Sequence, residues 1–353
     1  MGGSENQREV TMASYVFFRP PHARFITRLK QNLTPRTFEV PSQLPLTGSY
    51  VICPFQPSRE TPLVWLEPDE INRIEVKEAN ALSSFFLPED SEEEKRAYEH
   101  AFHLVSQSLQ SGETRKIVLA RRHEFCFAPK KAHSPLHLFV KACQENPSVF
   151  VALWDTPQTG TWLVASPEPL LEKVNEEWHS VALAGTRTNQ GTDLTSWDHK
   201  NLDEQAVVSD FIRSCLSQTA EKIETSPVHS QGYRHLQHLA TDFRFSLPSP
   251  EAVTRTLSLL HPTPAVCGLP RDNALATIRL AEPDARSFYA GFSGPLFLHG
   301  ETRLYVSLRC MELIGDRASL YAGGGIMPES TVETEWEETR RKMATMRSLF
   351  SKP

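Results

Sequence analysis

The chain has 353 residues, of which 39% are hydrophobic and 23% charged, as expected for a globular protein with a substantial core. Its formal net charge of -6, without a dense Lys/Arg block, argues against a nucleic-acid-binding protein. No apolar run has the length that spans a bilayer, and the six scattered cysteines form no C-x-x-C pair. The polar first ten residues lack the apolar core of a signal peptide. We therefore expect a cytoplasmic protein without a membrane segment or a disulfide framework.

Residues 1–90 are rich in proline and contain short β-prone pieces, such as 50–53 and Leu63–Leu66, which predict an antiparallel sheet region. A helix is predicted over 88–113, where Pro88 and acidic residues open a helical spacing that ends at Gly112. A strand is predicted over 115–127.

Short strands are predicted next over 148–155, 161–167, 170–175 and 179–187, followed by an amphipathic helix over 201–223. Further strands are predicted over 287–298, 302–314 and 317–326. A last helix is expected over 330–350, with Ser330 or Thr331 as its N-cap. Strands in runs, with helices set apart from them, predict an α+β fold.

Lys116 opens the apolar strand "KIVLAR". Strand alternation places Lys116 on one face with Val118 and Ala120, where loss of water would lower its pKa towards that of a working base. The alternative is a lysine whose nitrogen reaches solvent, and it is favoured on this stretch alone because buried lysines are rare.

Glu168 lies between two prolines in "SPEPLL", so its backbone is restricted. A carboxyl group held in a partly apolar loop can stay protonated and act as a general acid. A solvated loop carboxylate is the alternative, and it is favoured for this residue taken singly.

Carboxylates recur on two predicted helices. Glu204 begins one of them, while Glu335 and Glu338 share a face of the last helix with Lys342. If the two helices converge, their oxygens would suit Mg²⁺. The alternative is an ordinary surface pair between Glu338 and Lys342.

Three further features are ambiguous. Gly323, Gly324 and Gly325 follow each other in "YAGGGIMPES", either to let the backbone approach an anion or as a plain tight turn. Arg309 is predicted to lie in mid-strand, where an anionic partner is expected. His238 taken alone is more typical of a hydrogen-bonded core residue than of a ligand.

The order of these motifs is more specific than any one of them. The series "KIVLAR", "SPEPLL", "LAGTR", "DEQAVV", "QHLAT", "HPTPAVCG", "YVSLRC", "YAGGGIMPES" and "EWEETRRKM" resembles the chorismate-utilising enzymes over residues 92–350. That family includes isochorismate, salicylate, anthranilate and aminodeoxychorismate synthases. The resemblance implies two large, mostly antiparallel sheets packed together with helices outside. It also implies an N-terminal β-rich part over 1–90 and a catalytic region over 91–353, within one compact domain.

The resemblance also implies roles for residues. Lys116 corresponds to the general base that activates the attacking water, and Glu168 to the general acid that protonates the departing hydroxyl. Glu204 and Glu338 correspond to the Mg²⁺ ligands, with Glu335 supporting them. The implied substrate-binding positions are Gly185, Thr186, His238, Ala265, Arg309, Gly323, Gly325 and Lys342.

The segment "HPTPAVCGLPR" is similar to that of the isochorismate synthases. Ala265 stands where relatives carry a threonine near the ring, which leaves room for water. Cys267 is interpreted as small filler, and Arg271 replaces a lysine of the aminating enzymes. Asn201 departs from the acidic residue of siderophore-type relatives, so the surroundings of the metal are expected to differ.

The function implied is Mg²⁺-dependent conversion of chorismate to isochorismate, with menaquinone biosynthesis as the first pathway and a siderophore pathway as the second. Salicylate synthase is an alternative that Ala265 disfavours. A non-catalytic chorismate-binding subunit is disfavoured by the full set of catalytic residues. We expect the small molecule chorismate as the ligand, no glutaminase subunit, and a monomer or homodimer.

Overall fold

The computed structural model describes residues 13–75, 91–128, 133–174, 176–188, 197–233 and 236–350. Its helices are Glu92–Gln110 (α1), Pro135–Glu145 (α2), His199–Leu216 (α3), Pro250–Leu260 (α4), Arg271–Ala281 (α5) and Val332–Arg347 (α6). Its strands are Ser14–Arg19 (β1), Phe25–Gln31 (β2), Arg36–Phe38 (β3), Ser49–Cys53 (β4), Leu63–Leu66 (β5), Glu70–Glu75 (β6), Lys116–Cys126 (β7), Phe150–Thr156 (β8), Gly160–Ser166 (β9), Pro169–Val174 (β10), Glu177–Thr188 (β11), Glu221–Thr225 (β12), His229–Tyr233 (β13), Leu236–Ser246 (β14), Gly268–Leu269 (β15), Phe292–Leu296 (β16), Arg303–Val306 (β17), Cys310–Ile314 (β18) and Arg317–Ile326 (β19).

The strands form two antiparallel sheets. Sheet A has the order β15-β7-β19-β18-β9-β8-β1-β2-β6. Sheet B has the order β12-β14-β11-β10-β17-β16-β4-β5-β3, and β13 also pairs with β14. With helices on the outside of the sheets, this architecture confirms the predicted α+β fold.

Alternating side chains of sheet A enter two different apolar clusters. Trp154 and Trp162 belong to the larger cluster, which also contains residues of sheet B such as Phe243. Leu153 and Leu163, one residue along each strand, join a second cluster with α2 and the end of α6. Sheet A is therefore buried on both faces, which requires the near-continuous apolar runs of β8 and β9.

Strands from residues 1–90 belong to both sheets: β1, β2 and β6 extend sheet A, and β3, β4 and β5 extend sheet B. The predicted strands at 50–53 and Leu63–Leu66 are confirmed as β4 and β5. The division of the chain at residue 90 stays a prediction.

Helix α1 begins where its capping chemistry places it. Ser91 accepts a hydrogen bond from the Glu94 amide while the Glu94 carboxylate reaches back to Ser91, which forms a capping box. Gly112, with φ of +77°, follows the end of the helix. Pro88, predicted to open this helix, lies outside the described residues. Helix α6 has Thr331 as its N-cap, so Ser330 does not fill this position.

Two sequence predictions of elements are wrong, and one open alternative is excluded. The strand predicted over 302–314 is two strands in different sheets, so Arg309 lies between β17 and β18 and not in mid-strand. The glycines Gly323, Gly324 and Gly325 lie within β19, so the tight-turn alternative is excluded. The helix predicted over 201–223 ends at Leu216, because the chain turns there and residues 221–223 open β12.

In the part of the chain that the structure describes, no helix has the length and apolarity needed to cross a bilayer.

Candidate functional site

The site forms where the chain passes twice between the sheets. Glu168 lies in the passage from β9 of sheet A to β10 of sheet B, and Arg309 in the return from β17 to β18. The two passages lie side by side, because Val306 N donates to Glu168 O at 3.0 Å and Ala165 N donates to Arg309 O at 3.0 Å. Arg309 has a φ of +43°, unusual for a residue with a Cβ. The backbone hydrogen bonds between the two passages therefore hold Glu168 and Arg309 in place.

Glu168 is buried with only 4% of its surface exposed, so the solvated-carboxylate alternative is wrong. Burial raises the pKa of Glu168 to about 8, although the charges of Lys116, Arg309 and Lys342 act to lower it. The carboxyl group is consequently protonated at neutral pH and can donate a proton to a leaving group.

Lys116 is fully buried, so the alternative in which its nitrogen reaches solvent is wrong. Its Nζ lies 2.8 Å from Glu204 Oε1 on α3. Backbone pairing of Lys116 with Leu269 in β15 fixes the start of β7. The lysine is thus held by a strand on one side and by a carboxylate from a helix on the other.

The glycines of β19 leave space that acidic side chains fill. A Cβ on Gly325 would lie 2.1 Å from Glu204 Oε1 and 3.1 Å from Lys116 Cε. A Cβ on Gly324 would lie 2.5 Å from Glu335 Oε2. Real Cβ atoms do not approach oxygen so closely, so glycine is needed here for the approach of the helices.

Helix α6 brings two carboxylates and a lysine to β19. Lys342 Nζ lies 2.6 Å from Glu338 Oε1 and donates to Gly323 O at 2.8 Å. The side chains of this pair are only 12% and 19% exposed, so the ordinary surface pair is excluded. Burial and the charge of Glu338 raise the pKa of Glu335; Glu338, despite its burial, has a lowered pKa because Lys342 is beside it.

The carboxylates have the donor chemistry that Mg²⁺ prefers. Glu335 is 1% exposed, and its Oε2 has no hydrogen-bond partner among the described residues. An unsatisfied buried carboxylate oxygen beside a second carboxylate is what a bound cation would satisfy. Each of the three glutamates is instead paired with a lysine, and no group of three possible ligands is already gathered within the described residues. The residues fit the metal by chemistry, and ligation would require these ion pairs to rearrange.

The opposite wall comes from sheet B. His238 Nδ1 lies 3.0 Å from Gly185 O, and since a carbonyl only accepts, Nδ1 carries the proton. Nε2 is then free to accept from Arg309 Nη2 at 3.3 Å. Burial and the charges of Arg309 and Lys342 lower the pKa of His238 to about 3, so the ring is neutral. His238 is both a hydrogen-bonded buried residue and part of the cavity wall.

Gly185 permits a bend in β11 at this wall. It has a φ of +71° at the point where the register between β11 and β14 shifts. Thr186 N, just beyond, donates to Asn201 Oδ1 at 3.0 Å, and Asn201 Nδ2 donates to Asp198 Oδ1 at 2.8 Å. Asn201 therefore stabilises the bend in β11 by a hydrogen bond to its backbone. The sequence did not reveal this role, and its only indication was that an asparagine replaces the acidic residue of siderophore-type relatives.

The segment that follows α4 closes the site. Its turn, with Cys267 N donating to Thr263 O at 2.9 Å, places Ala265 in the cavity wall. Cys267 is fully buried, and burial raises the pKa of its thiol to about 11. This supports its interpretation as filler, because the thiolate is the nucleophilic form.

Ten of the thirteen residues predicted for the site line one cavity between the sheets: Glu168, Gly185, Thr186, Glu204, His238, Ala265, Arg309, Gly323, Gly325 and Lys342. The other three contact it indirectly, Lys116 through Glu204, Glu338 through Lys342, and Glu335 through β19. Sequence reasoning missed Lys200, which pairs with Glu335, and Tyr289, which lines the cavity. The only signal for Lys200 was its position four residues before Glu204.

Comparisons with known proteins point to one family. The family model described as chorismate binding enzyme matches residues 56–351. The isochorismate synthase MenF of Escherichia coli is 32% identical over 265 residues, which are 73% of this chain and 61% of that protein. The chain thus spans about three fifths of the length of this relative.

Two solved structures share the fold. DhbC from Bacillus anthracis superimposes with a TM-score of 0.80 at 22% identity, covering 95% of this chain and 96% of that one. The menaquinone-specific isochorismate synthase MenF from Escherichia coli gives a TM-score of 0.76 at 24% identity, covering 98% and 90%. The motif order, the shared fold and the family match together show that this chain belongs to the family of chorismate binding enzymes.

Proposed function

We propose that the chain is an isochorismate synthase, which adds water at C2 of chorismate and removes the hydroxyl at C4. The observation that carries the proposal is a buried, protonated Glu168 in the cavity wall together with a buried Lys116 held behind that wall by Glu204. The similarity to the isochorismate synthase MenF supports the same reaction.

The proposed chemistry balances in atoms and charge. Lys116, as the amine, takes a proton from water while the water oxygen bonds to C2 and the ring double bonds shift. The C4–O bond breaks, and Glu168 gives its proton to the departing oxygen, so that one water enters and one leaves. The Glu204 carboxylate beside Lys116 Nζ stabilises the ammonium that forms.

Substrate binding is assigned to the cationic and backbone groups of the cavity. Arg309 and Lys342 provide two positive charges for the two carboxylates of chorismate. Gly323 and Gly325 line this cavity on the side of sheet A, and Thr186 lines it on the side of sheet B. The neutral His238 holds the Arg309 guanidinium in place.

We propose Mg²⁺ as the cofactor, with Glu204 and Glu338 as ligands and Glu335 beside them. The bound metal would neutralise carboxylates and orient the substrate. The unsatisfied Oε2 of Glu335 supports this assignment.

The same proposal extends to the pathway, while the partners and the location of the protein stay predictions. The relation to menaquinone-specific MenF favours menaquinone biosynthesis, with a siderophore pathway as the alternative. Ala265 in the cavity wall disfavours salicylate synthase. The cytoplasm, the monomer or homodimer, and the lack of a glutaminase subunit stay predictions.

Product analysis tests the proposal. The purified chain is incubated with chorismate and Mg²⁺, with and without a chelator, and with added ammonium, and the products are separated by chromatography. Isochorismate alone, dependent on Mg²⁺, is the expected result. Salicylate with pyruvate, or an aminated product, would move the chain to another branch of the family. Binding of chorismate without turnover would favour a non-catalytic subunit.

A further inference from the structure

Lys200 is a partly buried cation that the proposed reaction does not use. It lies on α3 one turn before Glu204, and its Nζ lies 2.5 Å from Glu335 Oε1 on α6. Only 23% of the Lys200 side chain and 2% of that of Glu335 are exposed. The pair joins the two helices that carry the proposed metal ligands. Lys200 is not among the described residues that line the substrate cavity.

The carboxylate cluster has a lysine for each acid. Glu204 is paired with Lys116 at 2.8 Å and Glu338 with Lys342 at 2.6 Å, while Lys200 completes the set with Glu335. The formal charges of these six side chains sum to zero. Lys116 has a proposed role as the base, and Lys342 has one as a substrate contact. Of these three lysines, only Lys200 has no proposed role other than pairing with a carboxylate.

Asn201 removes a further negative charge from this region. Its side chain is occupied by the Thr186 amide and by Asp198, so it adds no carboxylate to the cluster. A cluster whose carboxylates are each paired with a lysine attracts a divalent cation less strongly than three unpaired carboxylates would. The two carboxylates of the substrate would supply the missing negative charge.

We infer that Lys200 is the counterion that weakens Mg²⁺ binding to the free protein and thereby couples tight metal binding to the arrival of the dianionic substrate. The inference rests on the proposed metal site. Lys200 holds one oxygen of Glu335 and keeps a positive charge beside the position that the cation must approach. Removing this charge leaves Glu335 without its lysine partner while Glu338 keeps Lys342, and the unpaired carboxylate favours the cation.

The test is titration calorimetry of the full chain with MgCl₂ in the absence of chorismate. Lys200→Gln is expected to bind Mg²⁺ about tenfold more tightly than the parent, because a unit charge close to the cation is removed. Lys200→Arg keeps the charge and is expected to bind like the parent. Lys30→Gln is the matched control, because it also removes a Lys–Glu pair, with an N–O distance of 3.0 Å, from the outer part of sheet A.

Unchanged or weaker Mg²⁺ binding by Lys200→Gln would overturn the inference. Lys200→Met keeps the aliphatic stem and replaces Lys200→Gln if melting curves show that the amide is not tolerated. In a second titration with chorismate present, the gain in Mg²⁺ affinity on adding substrate should be smaller in Lys200→Gln than in the parent. The calorimetric result does not depend on turnover. A chain that binds Mg²⁺ as expected but makes no isochorismate would refute the proposed reaction and leave this inference standing.

Discussion

The buried environment of Glu168 lowers the stability of the folded protein and keeps the carboxyl group protonated for catalysis. Its side chain has lost nearly all contact with water, and three nearby cations do not fully offset that loss. Groups with strongly shifted pKa values in a cavity are candidates for catalysis because the shift matches the chemistry. Two predictions follow from this one residue.

The first concerns the pH dependence of the reaction. Because Glu168 must carry its proton and its pKa is about 8, kcat/KM for chorismate should fall as pH rises through about 8. Initial rates between pH 6 and 10 at fixed Mg²⁺ measure this limb. The residual kcat/KM of Glu168→Gln should not fall as pH rises through about 8. If kcat/KM of this variant still falls in the same pH range, the titration belongs to another group.

The second concerns stability. The folded-state pKa of Glu168 is raised above its ordinary value, so its contribution to stability is complete at acidic pH and is lost as pH rises through about 8. Glu168→Gln has no proton to lose there. Its melting temperature should exceed that of the parent at pH 9, with the difference shrinking towards pH 4. Glu113→Gln, on an exposed carboxylate, should show no such trend. A lower melting temperature for Glu168→Gln at pH 9 would contradict the buried-acid assignment.

At the scale of elements, strand β19 is the surface on which the two acidic helices meet. Its glycines have no side chain, and the space is filled by Glu204 from α3 and Glu335 from α6. The strand also pairs with β7, opposite Val118 and Ala120, so it lies against the strand of the proposed base. A single added methyl group should therefore disturb several catalytic groups at once.

Gly325→Ala tests this arrangement. The new Cβ would lie 2.1 Å from Glu204 Oε1, so the carboxylate and Lys116 must move, and we expect a loss of about 100-fold or more in kcat. Gly315→Ala is the control, because its Cβ meets nothing within 4 Å although its φ is +61°. The control should lose about 1 kcal/mol of stability from backbone strain and keep its activity per folded molecule. Full activity in Gly325→Ala would show that the close approach is not needed.

The sequence predicted elements well where the pattern was long and locally determined. The apolar spacing of α1 is such a local signal, although the capping box at Ser91, which sets the start of the helix, was not predicted. The break at Arg309 was not predictable from local pattern, because "TRLYVSLRCMELI" contains no glycine or proline that would interrupt a strand, and the change of sheet depends on partners far along the chain. The role of the three glycines within the predicted strand stayed open for a similar reason, since the side chains that require them belong to other elements.

At the scale of the molecule, the cavity exists because the chain changes sheet twice at adjacent points. Glu168 and Arg309 are distant in sequence, but backbone hydrogen bonds join the two chain segments that contain them. Motif order indicated the family, and thereby the set of residues, but no single spacing could show that they converge. The ion pairs of Glu204 and Glu335 were likewise beyond the sequence, since they join α3 to β7 and to α6. The contact between Glu338 and Lys342, four residues apart on α6, could be inferred from their spacing.

The most direct test of the account is the fate of the oxygen atoms. The chain is incubated with chorismate and Mg²⁺ in water enriched in oxygen-18, and the isochorismate is analysed by mass spectrometry. We predict one oxygen-18 atom in each product molecule, at C2, and a rate at least ~100-fold lower in both Lys116→Ala and Glu168→Gln. Isochorismate without the label, or label incorporation at the parent's rate in either variant, would contradict the roles of water, base and acid proposed for this site.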